Sequence, residues 1–351
     1  MSTCPGEVSM RYYTPLDKSD VLDMCKTVCT LLFPFLSFPL SSKKKDIHTV
    51  FTPGVPTTTV HVCVDGGRDY IPRTIDGYHG MDDVDLFVCD YSGKTCVSLL
   101  CGTLDGSMYR VWGARTHPSY RGKGIMQYMM KMMHTNLQSH VEHIVSTTIS
   151  ENATMLKIFT NLGYRQHATV YGWPDSTHAE SIHRVMETFH KDAQNQGKYR
   201  WMPCCDAHVL CDVLGCIRGQ CDGFDRVWLP GSYETISADG QLIQDMMNQQ
   251  RVHVVYDESD VPVAAVVLME DQLDQQVLSI VHAQSVDVED ILRRYCSNVS
   301  TKDELKKIRR VYVDTCGGGP PMLEAEDRGV FFEYIVLTCT REKDTNIKYN
   351  D

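Results

Sequence analysis

The chain has 351 residues, about two domains at roughly 150 residues each. It is 42% hydrophobic, 9% aromatic and 23% charged, which excludes wholesale disorder, collagen and coiled coil. Lys plus Arg number 34 and Asp plus Glu 45, a net charge of −11 with no long basic run, so nucleic acid is not an expected partner.

No stretch of ~20 uninterrupted apolar residues occurs, so no membrane-spanning helix is expected. Met1–Tyr13 lacks the basic-then-apolar pattern of a signal peptide. The 15 cysteines, an odd number, then read as reduced thiols of a cytoplasmic protein, serving as small buried hydrophobes. The triplets Asn152-Ala-Thr154 and Asn298-Val-Ser300 fit the glycan-acceptor pattern but carry no glycan in that compartment.

In chain order, Thr27–Cys63 stands apart. It contains VCTLLFPFLSFPL, broken by Pro34 and Pro39, then SSKKK and TPGVPTTT, and has neither a 3.6- nor a 2.0-residue period. It reads as a disordered insertion, with a membrane-dipping loop or a retained non-coding stretch as alternatives. Asp85–Asp90 and Thr95–Leu104 are strands around the turn Tyr91-Ser-Gly-Lys94. A third strand, Met108–Thr116, precedes a helix from Gly124 to about His140. Its Ile125, Met129, Met132, Met133 and Leu137 share one face, so the methionines are core.

A strand at Ile144–Ile149, a helix at Asn152–Leu162 stopped by Gly163, and a strand at about Ala168–Trp173 follow. A polar helix, about Ala179–Gln194, reads as a connector. The order then partly recurs: hairpin Val252–Tyr256 and Val263–Met269 around Asp257–Asp260, strand Val277–His282, helix Val286–Tyr295, strands Arg309–Thr315 and Phe331–Thr340. This recurrence suggests a diverged internal duplication.

The stretch that carries chemistry is Arg121-Gly-Lys-Gly-Ile-Met126, between a strand and an amphipathic helix. Gly122 and Gly124 let the backbone approach a ligand closely. The amides of the helix's first turn have no intrahelical partner and carry its positive dipole end, which makes a pyrophosphate cradle. Arg121 and Lys123 add charge.

HPSYRGKGI resembles the Q/R-x-x-G-x-G/A acetyl-CoA loop of the GCN5-related N-acetyltransferase superfamily. ENATMLKIFTNLGY resembles that superfamily's N-x-x-A-x-x-L-Y-x-x-L-G-F signature. The resemblance covers about Met10–Trp173 without the insertion. Within it, GGRDYIP (Gly66–Pro72) and VWGARTHPSYRGKG (Val111–Gly124) are similar to segments of the histidine N-acetyltransferase branch, which also carries a C-terminal extension but no stretch like Thr27–Cys63.

The resemblance implies an α/β fold, a mixed sheet flanked by helices, followed by a smaller α/β domain of related topology without a pyrophosphate loop. The expected organisation is an acetyltransferase domain over 1–175 (27–63 inserted), a connector over 176–198 and the second domain over 199–351. It further implies acetyl-CoA as co-substrate and no metal. The amides of Gly122, Lys123, Gly124 and Met126, with Arg121, hold the pyrophosphate. The strand Trp112–Thr116, including Ala114, holds the pantetheine and polarises the thioester carbonyl through its backbone. Asn152 contacts the CoA arm.

Candidates for the base are His117, Asp69 and Tyr70, with Asp69, Tyr70 and Arg115 on the acceptor side. Each has a plainer reading: His117 a solvated turn residue, Asp69 a local cap, Arg115 a surface ion pair. Three positions depart from the family: Met126 where Gly or Ala is usual, Phe159 where a proton-donating Tyr is frequent, and Trp112 where the histidine branch has Glu.

Two further clusters invite attention. Cys204, Cys205, His208, Cys211, Cys216 and Cys221 suggest zinc, but no C-x-x-C pair occurs, and Cys204, His208 and Cys211 on one helix face read as buried thiols. Cys316-Gly-Gly-Gly-Pro-Pro321 lacks the Lys-Ser/Thr of a phosphate loop and reads as a turn. The expected function is N-acetylation of a small-molecule amine, with the α-amine of an amino acid such as L-histidine the best candidate. The alternatives are a non-catalytic acyl-CoA-binding module and a protein N-acetyltransferase.

Overall fold

β-Branched and aromatic runs punctuated by tight turns form strands where the sequence places them. The computed structural model describes residues 7–26, 71–137, 141–173, 186, 199–219, 224–231, 235–270, 276–283, 287–298, 305, 307–317 and 332–340. The segment Thr27–Cys63, the residues Asp69 and Tyr70, and the expected 179–194 connector except Met186 lie outside them. The described residues in Met1–Thr103 and Val111–Gln138 form one unit, and those in Leu104–Arg110 and Ser139–Thr345 the other.

In the first unit, β1 (Val8–Tyr12), α1 (Lys18–Lys26) and α2 (Ile71–Tyr78) precede β2 (Val84–Tyr91), β3 (Lys94–Asp105, up to Thr103), β4 (Met108–Thr116, from Val111) and α3 (Ile125–Asn136). The sheet order is β1-β2-β3-β4, with β1–β2 and β2–β3 antiparallel. Ser92 (φ 48°) and Gly93 (φ 78°) supply the two left-handed residues of the β2–β3 turn, whose twist matches that of the flanking strands. The core joins Val21 and Met24 of α1, Ile71 and Ile75 of α2, and Val88, Leu99 and Cys101 of the sheet. Each such side chain contributes roughly 1.5–3 kcal/mol by burial. Arg11 ties β1 to its surroundings, donating to Asp17 at 2.8 and 2.7 Å and to Asp90 at 3.0 Å.

α3 corrects one expectation. Its buried residues are Ile125, Met126, Met129, Met130, Met133 and His134, while Met132 and Leu137 are half-buried. A core-facing stripe is ~100° wide, two adjacent i, i+4, i+8 columns, so the neighbours one position on are also covered. The helix ends at Asn136 because Leu137 is extended (ψ 144°).

The second unit holds β5 (His143–Ile149), α4 (Ala153–Asn161), β6 (Arg165–Trp173), β7 (Arg200–Pro203), α5 (Ala207–Arg218), β8 (Trp228–Pro230) and β9 (Thr235–Ser237). It continues through α6 (Gln241–Asn248), β10 (Val252–Tyr256), β11 (Pro262–Glu270), β12 (Gln276–His282), α7 (Val288–Asn298), β13 (Ile308–Asp314) and β14 (Phe332–Thr340). Its large sheet runs β5-β14-β6-β13-β12-β11-β10-β7, antiparallel except at β12–β13. Strands from the two halves of the chain alternate here. β14 pairs with β5 from Tyr334↔Ile149 to Thr340↔His143, and with β6 from Phe332↔Gly172 to Thr338↔Arg165.

Both faces of this sheet are covered. Val277 and Val281 of β12 face one core with Leu214 and Trp228, while Leu278 and Ile280 face another with Ile291 and Leu292 of α7, as the two-residue period of a strand requires. Arg218 donates to Asp314 at 2.8 Å, both almost fully buried, and its guanidinium lies 3.9 Å from the Trp228 ring centroid.

The order β2, β3, β4, α3, β5 recurs as β10, β11, β12, α7, β13. The fold is therefore the mixed α/β arrangement expected, a sheet flanked by helices followed by a second half of related topology. Among the described residues no helix is long and apolar enough to cross a membrane.

Candidate functional site

The link from β4 to α3 is built stepwise. Pro118 starts a single 3-10 turn, Pro118–Tyr120, in which the Tyr120 N–H donates to His117 O (2.9 Å) and the Arg121 N–H to Pro118 O (3.3 Å). His117 caps this turn, its Nδ1 accepting the Ser119 N–H at 3.3 Å. Nδ1 thus accepts a backbone N–H, and Nε2 lies 3.9 Å from Asp23.

Gly122 (φ 75°) and Gly124 (φ 77°) then take left-handed conformations that a side chain disfavours. A Cβ on Gly122 would meet nothing within 4 Å, so the space before this backbone is open. The first i→i−4 bond of α3 is Tyr128 N–H to Gly124 O at 3.0 Å, so the amides of Ile125, Met126 and Gln127 precede the helical ladder. This turn fits a phosphate-bearing carrier, with two glycines, open space, a positive helix end and two cations. Met126, the departure from the family pattern, is buried with 7% exposure.

The cations have neutral partners. Arg121 donates from Nε to Thr116 O at 3.2 Å, and the Lys123 ammonium lies over the rings of Tyr91 (5.1 Å) and Tyr120 (5.7 Å). Sequence reasoning missed both tyrosines; their signal was an aromatic residue at the hairpin turn and another beside RGKG.

Along β4, Trp112 donates from Nε1 to Thr103 Oγ1 at 2.8 Å and meets Tyr78 edge-on at 5.0 Å. Gly113 (φ 63°), also missed, is forced twice: its Cβ would lie 2.8 Å from Cys101 Sγ and 3.1 Å from Ile71 Cδ1. A glycine inside a strand pattern is the signal for such a kink. Arg115 donates from Nη1 to Ala114 O at 2.9 Å, while Ser98 Oγ donates to Arg115 O at 2.7 Å and lies 2.9 Å from Thr116 Oγ1. The structure thus gathers Thr116, His117, Arg121, Gly122, Lys123, Gly124 and Met126 in the link from β4 to α3. Asp69 and Tyr70 are outside the described residues.

Asn152 belongs to the second unit, where it caps α4. Its Oδ1 accepts the Met155 N–H and its Nδ2 donates to Thr148 Oγ1, both at 3.3 Å. Phe159 on α4 is 1% exposed and packs on Tyr164 at 4.9 Å. A buried phenyl ring has no proton to give.

The cysteine stretch divides. Cys204 is buried and Cys211 half-buried, and burial pushes the Cys211 thiol up to about 11. Cys205, Cys216 and His208 are exposed, which corrects the shared buried face for His208. Cys221 lies outside the described residues, among which no group of three or more His, Cys, Asp or Glu is arranged to hold a metal.

No protein-family model matches the sequence, and no curated protein matches it significantly. Solved structures do. A GCN5-related N-acetyltransferase from Sphaerobacter thermophilus is 10% identical, with 95% of each chain covered and a TM-score of 0.46. The GCN5-related glucosamine N-acetyltransferase region of a fungal multi-domain β-N-acetylglucosaminidase is 11% identical, over 95% of this chain and 38% of that one, with a TM-score of 0.47. A tandem GNAT protein of the clavulanic acid biosynthesis pathway is 11% identical, over 73% of this chain and 82% of that one, with a TM-score of 0.34. These solved structures that resemble the chain are all proteins of the GCN5-related N-acetyltransferase kind.

Proposed function

We propose that the chain is an acetyl-CoA-dependent N-acetyltransferase acting on the amine of a small molecule, with the α-amine of an amino acid such as L-histidine the best candidate. The observation that carries this reading is the Arg121–Met126 turn, where two left-handed glycines deliver the backbone to the start of α3 between two cations. Acetyl-CoA supplies an activated acetyl thioester. The amides of Gly122, Lys123, Gly124 and Met126 hold its pyrophosphate, and the backbone of Trp112–Thr116 orients the pantetheine arm and polarises the carbonyl. The cofactor half spans 1–175 and the second half 199–351.

The acceptor ammonium must lose a proton before it attacks. His117 can take it only by releasing the Ser119 N–H from Nδ1. Asp69 and Tyr70 are the other candidates for that role, and Arg115 is the candidate to pair a substrate carboxylate.

CoA-thiol release against a panel of amino acids tests the substrate, and histidine should turn over. Silence across the panel sinks the amino-acid claim. Arg121→Glu should abolish the rise in melting temperature that acetyl-CoA gives the wild type, and an unchanged rise sinks the loop assignment.

A second reading, an acyl-CoA-binding module without turnover, is favoured by two observations. Phe159 is buried where an acid is frequent, and the Trp112 indole is committed to Thr103. It predicts acetyl-CoA binding with no thiol release from any amine.

A further inference from the structure

Lys123 sits in the turn that leads to α3, on a flexible stem of four methylenes, yet its position is defined. Its ammonium lies 5.1 Å from the Tyr91 ring centroid and 5.7 Å from that of Tyr120. The two rings meet edge-on at 5.9 Å and 71°, and His117 packs edge-on against Tyr120 at 5.7 Å. Tyr91 is 5% exposed at the end of β2, and Tyr120 is half-buried in the 3-10 turn, so both rings are fixed by the fold. A carboxylate in this place would hold the ammonium equally well but cancel its charge. An aromatic face attracts the cation through the ring quadrupole and leaves its full charge and N–H donors for another partner. Arg121 is held in the same manner, by the neutral Thr116 carbonyl.

We propose that Tyr91 and Tyr120 are positioning residues for the phosphate-bearing end of the acyl carrier. They hold the Lys123 ammonium in place and un-neutralised, so that the cationic side of the turn is organised before the ligand arrives. This rests on the reading of Arg121–Met126 as a carrier-phosphate site.

The test is calorimetric titration of CoA into the full chain, comparing wild type, Tyr120→Leu, Tyr120→Phe, Lys123→Met and the double variant Tyr120→Leu/Lys123→Met. Unliganded melting temperatures serve as the fold control. Tyr120→Leu should weaken CoA binding about two- to fivefold, the scale of an exposed to partly desolvated cation–π contact. Tyr120→Phe keeps the ring and should bind as wild type. In the Lys123→Met background Tyr120→Leu should cost nothing further, because the ring acts only through the ammonium. Tyr91→Leu should follow the same pattern if it folds; the half-exposed Tyr120 carries the test if it does not.

An unchanged affinity in Tyr120→Leu overturns the proposal, as does an equal loss with and without Lys123, which means the ring touches the ligand or the fold directly. Dephospho-CoA separates the two phosphate sources. The loss persists if Lys123 serves the pyrophosphate and vanishes if it serves the 3′-phosphate, and either result supports the positioning role. A wild-type chain that binds no CoA overturns this proposal together with the reading beneath it. Binding without coupling between Tyr120 and Lys123 overturns the positioning role alone.

Discussion

α3 and α7 occupy the same place in the two runs of strand, helix and strand, yet their first turns are made of opposite charge. α3 is reached through Arg121, Gly122, Lys123 and Gly124 and has no acidic side chain in its first turn. α7 has Glu289 and Asp290 there, and the Glu289 N–H donates to Asp287 Oδ1 at 2.9 Å. Glu289 in turn accepts from Arg293 Nε at 3.0 Å, one helical turn on. Carboxylates at a helix N-terminus stabilise it through the dipole and satisfy its leading amides. They also take the position and the sign of an anionic ligand. One half of the chain satisfies its helix end from within, and the other has no acidic side chain in its first turn and no side-chain cap.

The largest expected effect lies in the second unit, away from both helix ends. Arg218→Met removes the cation beside the buried Asp314 carboxylate, leaving it the Cys316 N–H, and should cost about 3–5 kcal/mol, read as a lower urea midpoint. Retained stability would show that the carboxylate finds another partner.

The first unit's ion pair lies nearer water and should matter less. Hydrogen bonding from Arg11 is the main cause that holds the Asp17 carboxyl down at about 2. A folded pKa below the unfolded value means stability present above the ordinary carboxylate range and lost as pH falls through it. About 1–2 kcal/mol should disappear between roughly pH 4 and pH 2, and Asp17→Asn should flatten that part of the pH–stability curve. An unaltered curve in the variant would contradict the assignment.

At the turn itself, Gly122→Val should leave the fold standing, since nothing crowds the new side chain, at about 1 kcal/mol of backbone strain. It should weaken acetyl-CoA binding about tenfold or more, equivalent to ~1.4 kcal/mol, by filling the space before the amides. Equal acetyl-CoA affinity would place the phosphate elsewhere. The smallest effect belongs to the other helix. Asp287→Ala removes a cap at about 1 kcal/mol and should leave acetyl-CoA affinity untouched, so a change in binding would blur the distinction between the two helix ends.

Much of this arrangement was legible in the sequence because local rules decide it. Ser92-Gly93 can only make a tight hairpin, and Gly122 and Gly124 announce a left-handed turn ahead of an amphipathic run. The partner of β14 was not legible. The continuous apolar run Tyr334–Leu337 says that the strand is buried, but not that it lies between β5 and β6, nearly 160 residues or more earlier in the chain. The core of α3 was read one column too narrow, since sequence spacing does not say how far two packed layers wrap around a helix. In the candidate turn, the left-handed backbone was legible from Gly122 and Gly124. The contact of Tyr91 with the Lys123 ammonium was not, because it depends on a segment about thirty residues away. His117 looked like a base by type, and only the Ser119 N–H on its Nδ1 shows that its lone pair is already engaged.

The most direct measurement is the amide chemical-shift change of the full chain on titration with CoA. The largest shifts are expected at Gly122, Lys123, Gly124 and Met126, with those of Asp287–Ile291 at the start of α7 unmoved. Shifts centred on α7, or none at the Arg121–Met126 turn at saturating CoA, would contradict this expectation.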